Sequence, residues 1–214
     1  MALNKDIYEA ILNGNAKRAL EATQAALAAG TEPTAIIQDS MVPAMDEVGK
    51  LYQCEEYFVP ELLLAGRAMK NAMELLKPLL TASGHKMAVR ILIGTVKGDL
   101  HDIGKNIVAS MLEGSGFEVI DLGTDVTPEK FVDAVRERSP HVVCLSALLT
   151  VTMPAMKSTI DALENAGVRA GVKVLVGGAP VTSQYAHEIG ADGYSDNASG
   201  AVSLVKELVG QRAA

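Results

Sequence analysis

The sequence lacks a basic cluster, a long apolar segment and a dense set of cysteines. Its formal net charge is −7 and lysines and arginines form no run, so no clustered positive face is available for nucleic acid or for an anionic membrane surface. No apolar run reaches the roughly 18 residues that a membrane-spanning helix needs. The N-terminus is amphipathic and lacks the apolar centre of a signal peptide. Cys54 and Cys144 lie far apart in different contexts, which predicts reduced thiols and a cytoplasmic protein.

Apolar residues make up 49% of the chain and charged residues 21%, a composition typical of a globular protein rather than a disordered one. In residues 1–84 the apolar residues recur at three- and four-residue spacing, which predicts about four short helices. Because short helices are stabilised chiefly by packing against one another, we expect residues 1–84 to form a four-helix bundle. The apolar positions are Ile7, Ile11, Leu12, Leu20, Ala25, Leu27, Ile36, Ile37, Met41, Met45, Val48, Leu62, Leu63, Met69, Met73, Leu76 and Leu80.

After a polar stretch over Thr81-Ala-Ser-Gly-His85, a plausible linker, the pattern changes to apolar strands that alternate with amphipathic helices. This alternation predicts that residues 85–214 form a flavodoxin-like, doubly wound parallel sheet of five strands. Such folds bind ligands beyond the carboxyl ends of their strands. The predicted strands are Ala88–Val96, Phe117–Leu122, Val142–Leu145, Val172–Val176 and Gly193-Tyr194, and the predicted helices are Ile103–Leu112, Pro128–Arg138, Pro154–Ala166, Val181–Ile189 and Ala198–Val209.

The loop after the first predicted strand carries a histidine, His101, two residues after a carboxylate, Asp99. Histidine that binds a metal commonly donates its second N–H to a carboxylate, which fixes the tautomer. His101 is therefore a candidate metal ligand that Asp99 orients. A lone histidine is more often a surface or core residue, however, and Asp99 and Asp102 could instead cap the following helix.

The glycines of this loop, Gly94, Gly98 and Gly104, also raise the possibility of phosphate binding at a strand-to-helix turn. They do not form the dinucleotide-binding fingerprint, because the bulky side chains of Leu100 and His101 stand where that fingerprint needs close backbone approach. A nicotinamide cofactor is therefore disfavoured.

The loops after the third and fourth predicted strands contain small residues. Ser146, Thr150 and Thr152 follow the third strand, where hydroxyl groups either cap a helix or line a polar slot for a ligand. Gly177 and Gly178 follow the fourth strand, where paired glycines form a turn or allow close approach of a ligand.

Taken together, these loops resemble a known signature. Asp99-x-His101-x-x-Gly104, then 41 residues, Ser146-x-Leu148, then 28 residues and Gly177-Gly178 is similar to the motif of the cobalamin-binding domains in methionine synthase, methylmalonyl-CoA mutase and the small corrinoid proteins of methyltransferase systems. The helical part, with Tyr57–Leu62 and Arg67–Lys70, resembles the cap of methionine synthase and of methanol- or methylamine-type corrinoid proteins. The mutases lack such a cap, so the resemblance favours methyl transfer.

The resemblance implies a role for each matching residue. His101 would replace the cofactor's dimethylbenzimidazole as the lower cobalt ligand, Asp99 would hydrogen-bond its other nitrogen, and Thr152 would extend the chain where methionine synthase has a serine. Ser146 and Thr150 would line the slot for the displaced nucleotide tail, Gly177 and Gly178 would leave room for it, and Tyr194 would lie near its end. The full set of implied cofactor-binding residues is Asp99, His101, Asp102, Ile103, Gly104, Ser146, Leu148, Thr150, Thr152, Gly177, Gly178 and Tyr194.

An apolar lid over the upper face would exclude water from methylcobalt. Phe58 and Leu62 are one helical turn apart, so both can point the same way, and Phe58 is the better candidate for contact over the cobalt. Met45, Val48 and Tyr57 are possible neighbours. The alternative is that Phe58 is ordinary bundle core.

The resemblance implies a cobalamin-dependent methyl carrier rather than a complete enzyme. Its expected partners are a substrate-specific methyltransferase that donates the methyl group, a second methyltransferase that passes it to an acceptor such as tetrahydrofolate or a thiol, and a reductive activase. The chain has no room for a donor-binding barrel of about 250 residues. The alternatives are a cobalamin-sensing regulatory domain, a receiver-type signalling domain and a flavodoxin-like protein without a cofactor.

Overall fold

The computed structural model describes residues 3–82 and 89–210, which divide into two compact units. The first unit contains the described N-terminal residues together with Ser110–Phe117, and the second contains Val89–Ala109 and residues 118–210. The boundary predicted at residue 84 and most of the predicted linker lie outside the described residues, although Thr81 and Ala82 still belong to a helix. Because Ser110–Phe117 groups with the first unit, the chain returns to the first unit after Ala109 and leaves it again after Phe117.

The N-terminal unit is helical, as the apolar spacing predicts. The side chains of Asn4 and Asn15 accept hydrogen bonds from the amides of Ile7 and Arg18 and so begin the first two helices. The segment with apolar residues from Ile36 to Val48 is one continuous helical stretch that contains a π-helical turn. Residues 3–82 therefore form four helical segments. Their bounds are α1 (Lys5–Leu12), α2 (Ala16–Ala28), α3 (Pro33–Ile36), the π turn (Ile37–Met41), α4 (Val42–Gln53) and α5 (Val59–Ala82).

Burial of the apolar faces stabilises this unit. Ile7, Ile11, Met45 and Met69 are almost completely inaccessible to solvent. Leu63 belongs to the predicted apolar series but is exposed, because it immediately follows the buried Leu62 and therefore lies about a quarter-turn around the helix from it. Ala25 of the same series is also exposed, so the periodicity predicted the buried faces with two exposed exceptions.

The second unit is a five-stranded parallel sheet with the strand order β2-β1-β3-β4-β5. This is the order of a flavodoxin-like fold, and it confirms the predicted fold class. Strand and helix bounds lie within about two residues of the predicted ones. They are β1 (Arg90–Thr95), α6 (Ile103–Gly114), β2 (Glu118–Asp121), α7 (Pro128–Arg138), β3 (Val142–Ser146), α8 (Pro154–Asn165), β4 (Lys173–Gly177), α9 (Ser183–Glu188), β5 (Gly193–Tyr194) and α10 (Ala198–Gly210), with a 3₁₀ turn at Arg169–Gly171.

The central strands are apolar because both of their faces are buried. Leu92, Val143 and Val174 belong to one core cluster, which also contains apolar side chains of α7, α8 and α9. The alternate residues Ile91 and Val142 point to the opposite face and are equally buried. None of the helices in the described residues is both long enough and apolar enough to cross a membrane.

Phe131 of α7 is the largest of the fully buried side chains in the described residues and belongs to this core cluster. We expect Phe131→Ala to lower the free energy of unfolding by about 3–5 kcal/mol, since it removes a large apolar side chain and leaves a cavity. Phe131→Leu should cost less, because most of the volume is kept. Urea denaturation followed by circular dichroism measures both changes, and an alanine variant as stable as the wild type would contradict this assignment of the core.

Candidate functional site

The loops that follow β1, β2 and β3 meet at the carboxyl edge of the sheet. β2 pairs with one edge of β1, and β3 pairs with the other edge of β1. At the ends of β1 and β3, Thr95 lies opposite Ser146. This is the switch point of the fold, where doubly wound sheets bind their ligands. The amide of Val96 donates to the carbonyl of Ser146 and so extends the β1–β3 contact into the loops.

His101 and Asp99 form a hydrogen-bonded pair in the loop after β1. The Nδ1 atom of His101 lies 2.8 Å from Oδ1 of Asp99. The Asp99 side chain is completely buried, whereas half of the His101 side chain, 51%, is exposed. A buried carboxylate therefore holds a histidine ring that faces outward.

Asp99 also accepts hydrogen bonds from the loop after β3. The Thr152 hydroxyl donates to Oδ2 of Asp99 over 2.7 Å and the Leu148 amide over 2.8 Å, and the Leu149 amide makes a longer contact of 3.3 Å. The His101 amide donates to Oδ1 over 3.0 Å. One carboxylate thus joins the β1 loop to the β3 loop.

These donors keep Asp99 ionised. Burial alone would raise the pKa of Asp99, but the hydrogen bonds from Leu148, Thr152 and His101 outweigh it, so that the pKa lies well below its usual range. Because an ionised carboxylate only accepts, the proton of the pair is placed on Nδ1 of His101. In the neutral ring Nε2 is then the acceptor nitrogen, and the hydrogen bonds found among the described residues use Nδ1.

The helix-capping alternative is not supported for either aspartate. The partners of Asp99 lie in its own loop and in the loop after β3, outside α6. The exposed Asp102 carboxylate accepts from the side chain of Asn106, over 3.1 Å, rather than from a backbone amide.

Apolar side chains surround the exposed histidine in sequence. Leu100 is 73% exposed and Ile103 is 75% exposed. In the loop after β3, Leu148, Leu149 and Val151 are exposed as well. Among the described residues of the second unit, the exposed large apolar side chains all lie in these two loops or at the first residue of α6, an arrangement typical of a binding surface. This apolar rim consists of Leu100, Ile103, Leu148, Leu149 and Val151.

The other predicted loop residues lie at the same edge of the sheet. Ser146 ends β3 and is half-buried, Thr150 is exposed, and Gly104 is exposed in the first turn of α6. Tyr194 ends β5 beside Val176 and is half-buried. Their contacts with a cofactor remain predictions.

Gly177 ends β4 and Gly178 follows it. The packing of the chain explains why Gly178 is a glycine. A Cβ atom at Gly178 would lie 1.9 Å from the carbonyl oxygen of Ala147, and the φ angle there is +131°. At Gly177 it would lie 3.1 Å from the carbonyl oxygen of Ser195. Close packing of neighbouring loops thus requires Gly178 even without a ligand.

In the helical unit, the two predicted cap residues differ in exposure. Phe58 is 62% exposed and Leu62 only 1% exposed. Phe58 is therefore not bundle core, whereas Leu62 has almost no surface left for a ligand. The Phe58 amide donates to the Glu61 carboxylate, which fixes the start of α5.

Sequence reasoning missed two residues that hold the histidine loop. The buried hydroxyl of Thr95 donates to the carbonyl oxygen of His101 over 2.8 Å. Asp125, in the loop after β2, accepts from the Gly98 amide over 2.7 Å. That loop was expected to carry chemistry because it follows a strand, but it contains no recognised motif that would have singled out Asp125.

Comparisons with known proteins agree with this geometry. Two family models, each described as a B12 binding domain, match residues 3–77 and 89–203. A dimethylamine corrinoid protein of Methanosarcina acetivorans is 44% identical over 180 residues, which span 83% of this chain and 84% of that protein. This chain belongs to the corrinoid proteins.

Solved structures support the membership. A cobalamin-binding protein from Desulfitobacterium hafniense is 35% identical, with a TM-score of 0.80 over 95% of this chain and 97% of that chain. A chain of the methanol:cobalamin methyltransferase complex MtaBC from Methanosarcina barkeri is 30% identical, with a TM-score of 0.85 over 96% of this chain and 78% of that chain. The predicted corrinoid family, with a helical cap and a flavodoxin-like domain, is thereby confirmed.

The residues of this corrinoid protein fit such a cofactor. No group of three or more histidine, cysteine, aspartate or glutamate side chains able to hold a metal is found in residues 3–82 and 89–210. The apolar rim around His101 suits a large apolar ligand, and the oriented Nε2 is a nitrogen donor of the kind that binds a metal.

Thr152→Val tests the support of Asp99, because it removes the hydroxyl and keeps the side-chain size. We expect the ligand-free variant to lose about 1–3 kcal/mol of unfolding free energy at pH 7, since the buried carboxylate loses a donor. Thr152→Ser keeps the hydroxyl and should stay close to the wild type. Urea denaturation measures both.

The effect of Thr152→Val should depend on pH. The pKa of Asp99 is lower in the folded chain than in the unfolded chain, where it is about 3.9. Ionised Asp99 therefore stabilises the fold fully above about pH 3.9. This stabilisation is lost as the pH falls from there towards the folded pKa. Wild type and variant share the unfolded pKa, so their stability difference should stay constant from pH 7 to about pH 4. It should narrow only below that pH, as the pH approaches the folded pKa values of Asp99 in the two proteins. A difference that does not narrow as the pH falls to the acid limit of folding would show that Thr152 does not act through ionised Asp99.

Gly178→Ala tests the close approach of the loops. The added Cβ clashes with the Ala147 carbonyl at a positive φ angle, so we expect a loss of about 2–5 kcal/mol in unfolding free energy. Gly171→Ala is the matched control, because a Cβ there meets no atom within 4 Å. If both variants unfold at the same urea concentration, the close approach is absent in solution.

Proposed function

We propose that this corrinoid protein is a methyl carrier whose His101 is the lower cobalt ligand, in place of the cofactor's own dimethylbenzimidazole. One observation carries the proposal: a buried, ionised Asp99 holds Nδ1 of His101 and leaves Nε2 free on an exposed ring. Metal-bound histidines are oriented by a carboxylate in this way. When bound, the corrinoid supplies the cobalt that takes up and releases the methyl group.

The protein's own residues then keep that nitrogen in place. Asp99 selects the tautomer that leaves the Nε2 lone pair free, and Thr152 holds the Asp99 oxygen that His101 does not use. In this proposal the apolar rim covers the underside of the corrin ring and excludes water from Nε2. Asp102, Ile103, Gly104 and Leu148 complete the contacts of these loops with the ring.

The nucleotide tail of the cofactor occupies a slot at the same edge of the sheet. Ser146 and Thr150 line it, Gly177 and Gly178 leave room beside it, and Tyr194 lies near its end. Ser146, Gly177, Gly178 and Tyr194 are half-buried, which is consistent with residues at a partly closed slot. Phe58, with 62% of its surface exposed, is the residue of the helical unit that we propose to cover the upper face of the cobalt.

The carrier works between partner enzymes in the cytoplasm. A substrate-specific methyltransferase supplies the methyl group, and a second methyltransferase passes it to an acceptor such as tetrahydrofolate or a thiol. A reductive activase returns an oxidised cofactor to its reduced, active state. Relatives named for dimethylamine and for a methanol methyltransferase complex support a small methylated amine or methanol as the first methyl source.

The His101→Ala variant tests the ligand. The purified chain is mixed with hydroxocobalamin, freed of unbound cofactor and examined by visible absorption spectroscopy. We expect the wild type to bind the corrinoid with a spectrum of histidine coordination, and His101→Ala to lose that spectrum and to bind more weakly. The loss follows because alanine offers no axial nitrogen.

His187→Ala is the matched control, since His187 is an exposed histidine at the end of α9 and outside the site. It should keep the wild-type spectrum. A colourless wild type would overturn the corrinoid assignment. A His101→Ala variant with an unchanged spectrum would overturn the ligand assignment alone.

A further inference from the structure

The loop after β2 grips the histidine loop through one residue, Asp125. Its Oδ1 atom accepts a hydrogen bond from the Gly98 amide over 2.7 Å, and its own amide donates to the carbonyl oxygen of Asp99 over 3.0 Å. Both bonds reach the backbone immediately next to the carboxylate that orients His101. Asp125 thus holds the Asp99 peptide from the side opposite to Thr152.

The backbone of Asp125 is itself constrained. Its φ angle is +52°, in the left-handed region that few residues other than glycine adopt. Aspartate and asparagine tolerate this region better than other side chains. Strained backbone of this kind persists where the surroundings enforce it and is concentrated at functional sites. Here the strain aims the amide and the carboxylate of one residue at the same neighbouring segment.

Thr95 holds the far end of the same loop. It is fully buried at the end of β1, and its hydroxyl donates to the carbonyl oxygen of His101 over 2.8 Å. Its amide and carbonyl bond to Gly123 and Val126, which flank Asp125 in the loop after β2. The β2 loop and the end of β1 therefore hold the histidine loop at both ends.

We infer that Asp125 and Thr95 are positioning residues that fix the His101 ring before any cofactor arrives. Asp125 sets the place of the Asp99 backbone, Asp99 sets the ring, and Thr95 prevents the His101 backbone from moving away. This inference rests on the proposed role of His101 and extends it from a single pair to a loop held on three sides. Such preorganisation is what axial ligation needs, because a free loop would lose its conformational freedom on binding.

Three substitutions at Asp125 separate the carboxylate from the backbone. Asp125→Gly removes the acceptor but keeps the left-handed backbone accessible, Asp125→Ala removes both, and Asp125→Asn keeps an acceptor oxygen and tolerates the backbone. Ser139→Gly is the control, because Ser139 also has a positive φ angle, +45°, at the end of α7. Thr95→Val and Thr95→Ser form the second matched pair.

The first readout is amide hydrogen exchange in the ligand-free protein. We expect the His101 amide to exchange about tenfold faster in Asp125→Gly, in Asp125→Ala and in Thr95→Val, because loss of a hydrogen bond to the loop lets it open more often. Asp125→Asn, Thr95→Ser and Ser139→Gly should stay near the wild type. Unchanged exchange of the His101 amide in both Asp125→Gly and Thr95→Val would overturn the inference.

The second readout is the fraction of bound hydroxocobalamin that shows histidine coordination in the visible spectrum. It should fall in Asp125→Gly and recover in Asp125→Asn. A fraction that stays at the wild-type value in Asp125→Gly would also contradict the positioning role. If His101→Ala leaves the spectrum unchanged, the proposed ligand is wrong, and exchange of the His101 amide still decides whether Asp125 and Thr95 position the loop.

Discussion

A single buried carboxylate determines the geometry of the site. Asp99 has no exposed surface, yet hydrogen bonds from the loops after β1 and β3 keep it ionised. An unpaired charge in such a place would be strongly destabilising. The loops therefore have to converge on Asp99 for the fold to be stable, and their convergence orients the His101 ring. Stability and the availability of Nε2 come from the same set of bonds.

The parallel sheet makes this convergence possible. Because β1 and β3 are neighbours while the chain first visits β2, three loops that are distant in sequence end at one edge. The rigid strands bring Thr95 and Ser146 side by side, and the loops beyond them start from fixed positions. Chemistry placed on such loops is held by the sheet rather than by the loops alone.

The exposed apolar side chains of the second unit indicate a binding surface beside His101. Burial of Leu100, Ile103 and Val151 would ordinarily be favourable by roughly 1.5–3 kcal/mol each, and yet these side chains are 73–81% exposed. Their exposure next to an oriented histidine is expected of a surface that a large apolar ligand covers. In our proposal that ligand is the corrin ring, with His101 as the lower cobalt ligand.

The sequence by itself determined the two kinds of secondary structure, the five strands and the Asp99–His101 pair, because periodicity and short motifs are local properties. It also predicted Thr152, but only through a resemblance, since residues 53 positions apart have no local relation. Tertiary structure alone decided that Asp125 and Thr95 hold the loop, that Gly178 is required by the Ala147 carbonyl, and that Phe58 is exposed while Leu62 is buried. These features depend on which loops and helix faces come into contact in the folded sheet and the folded bundle. The spacing of residues along the chain does not predict those contacts.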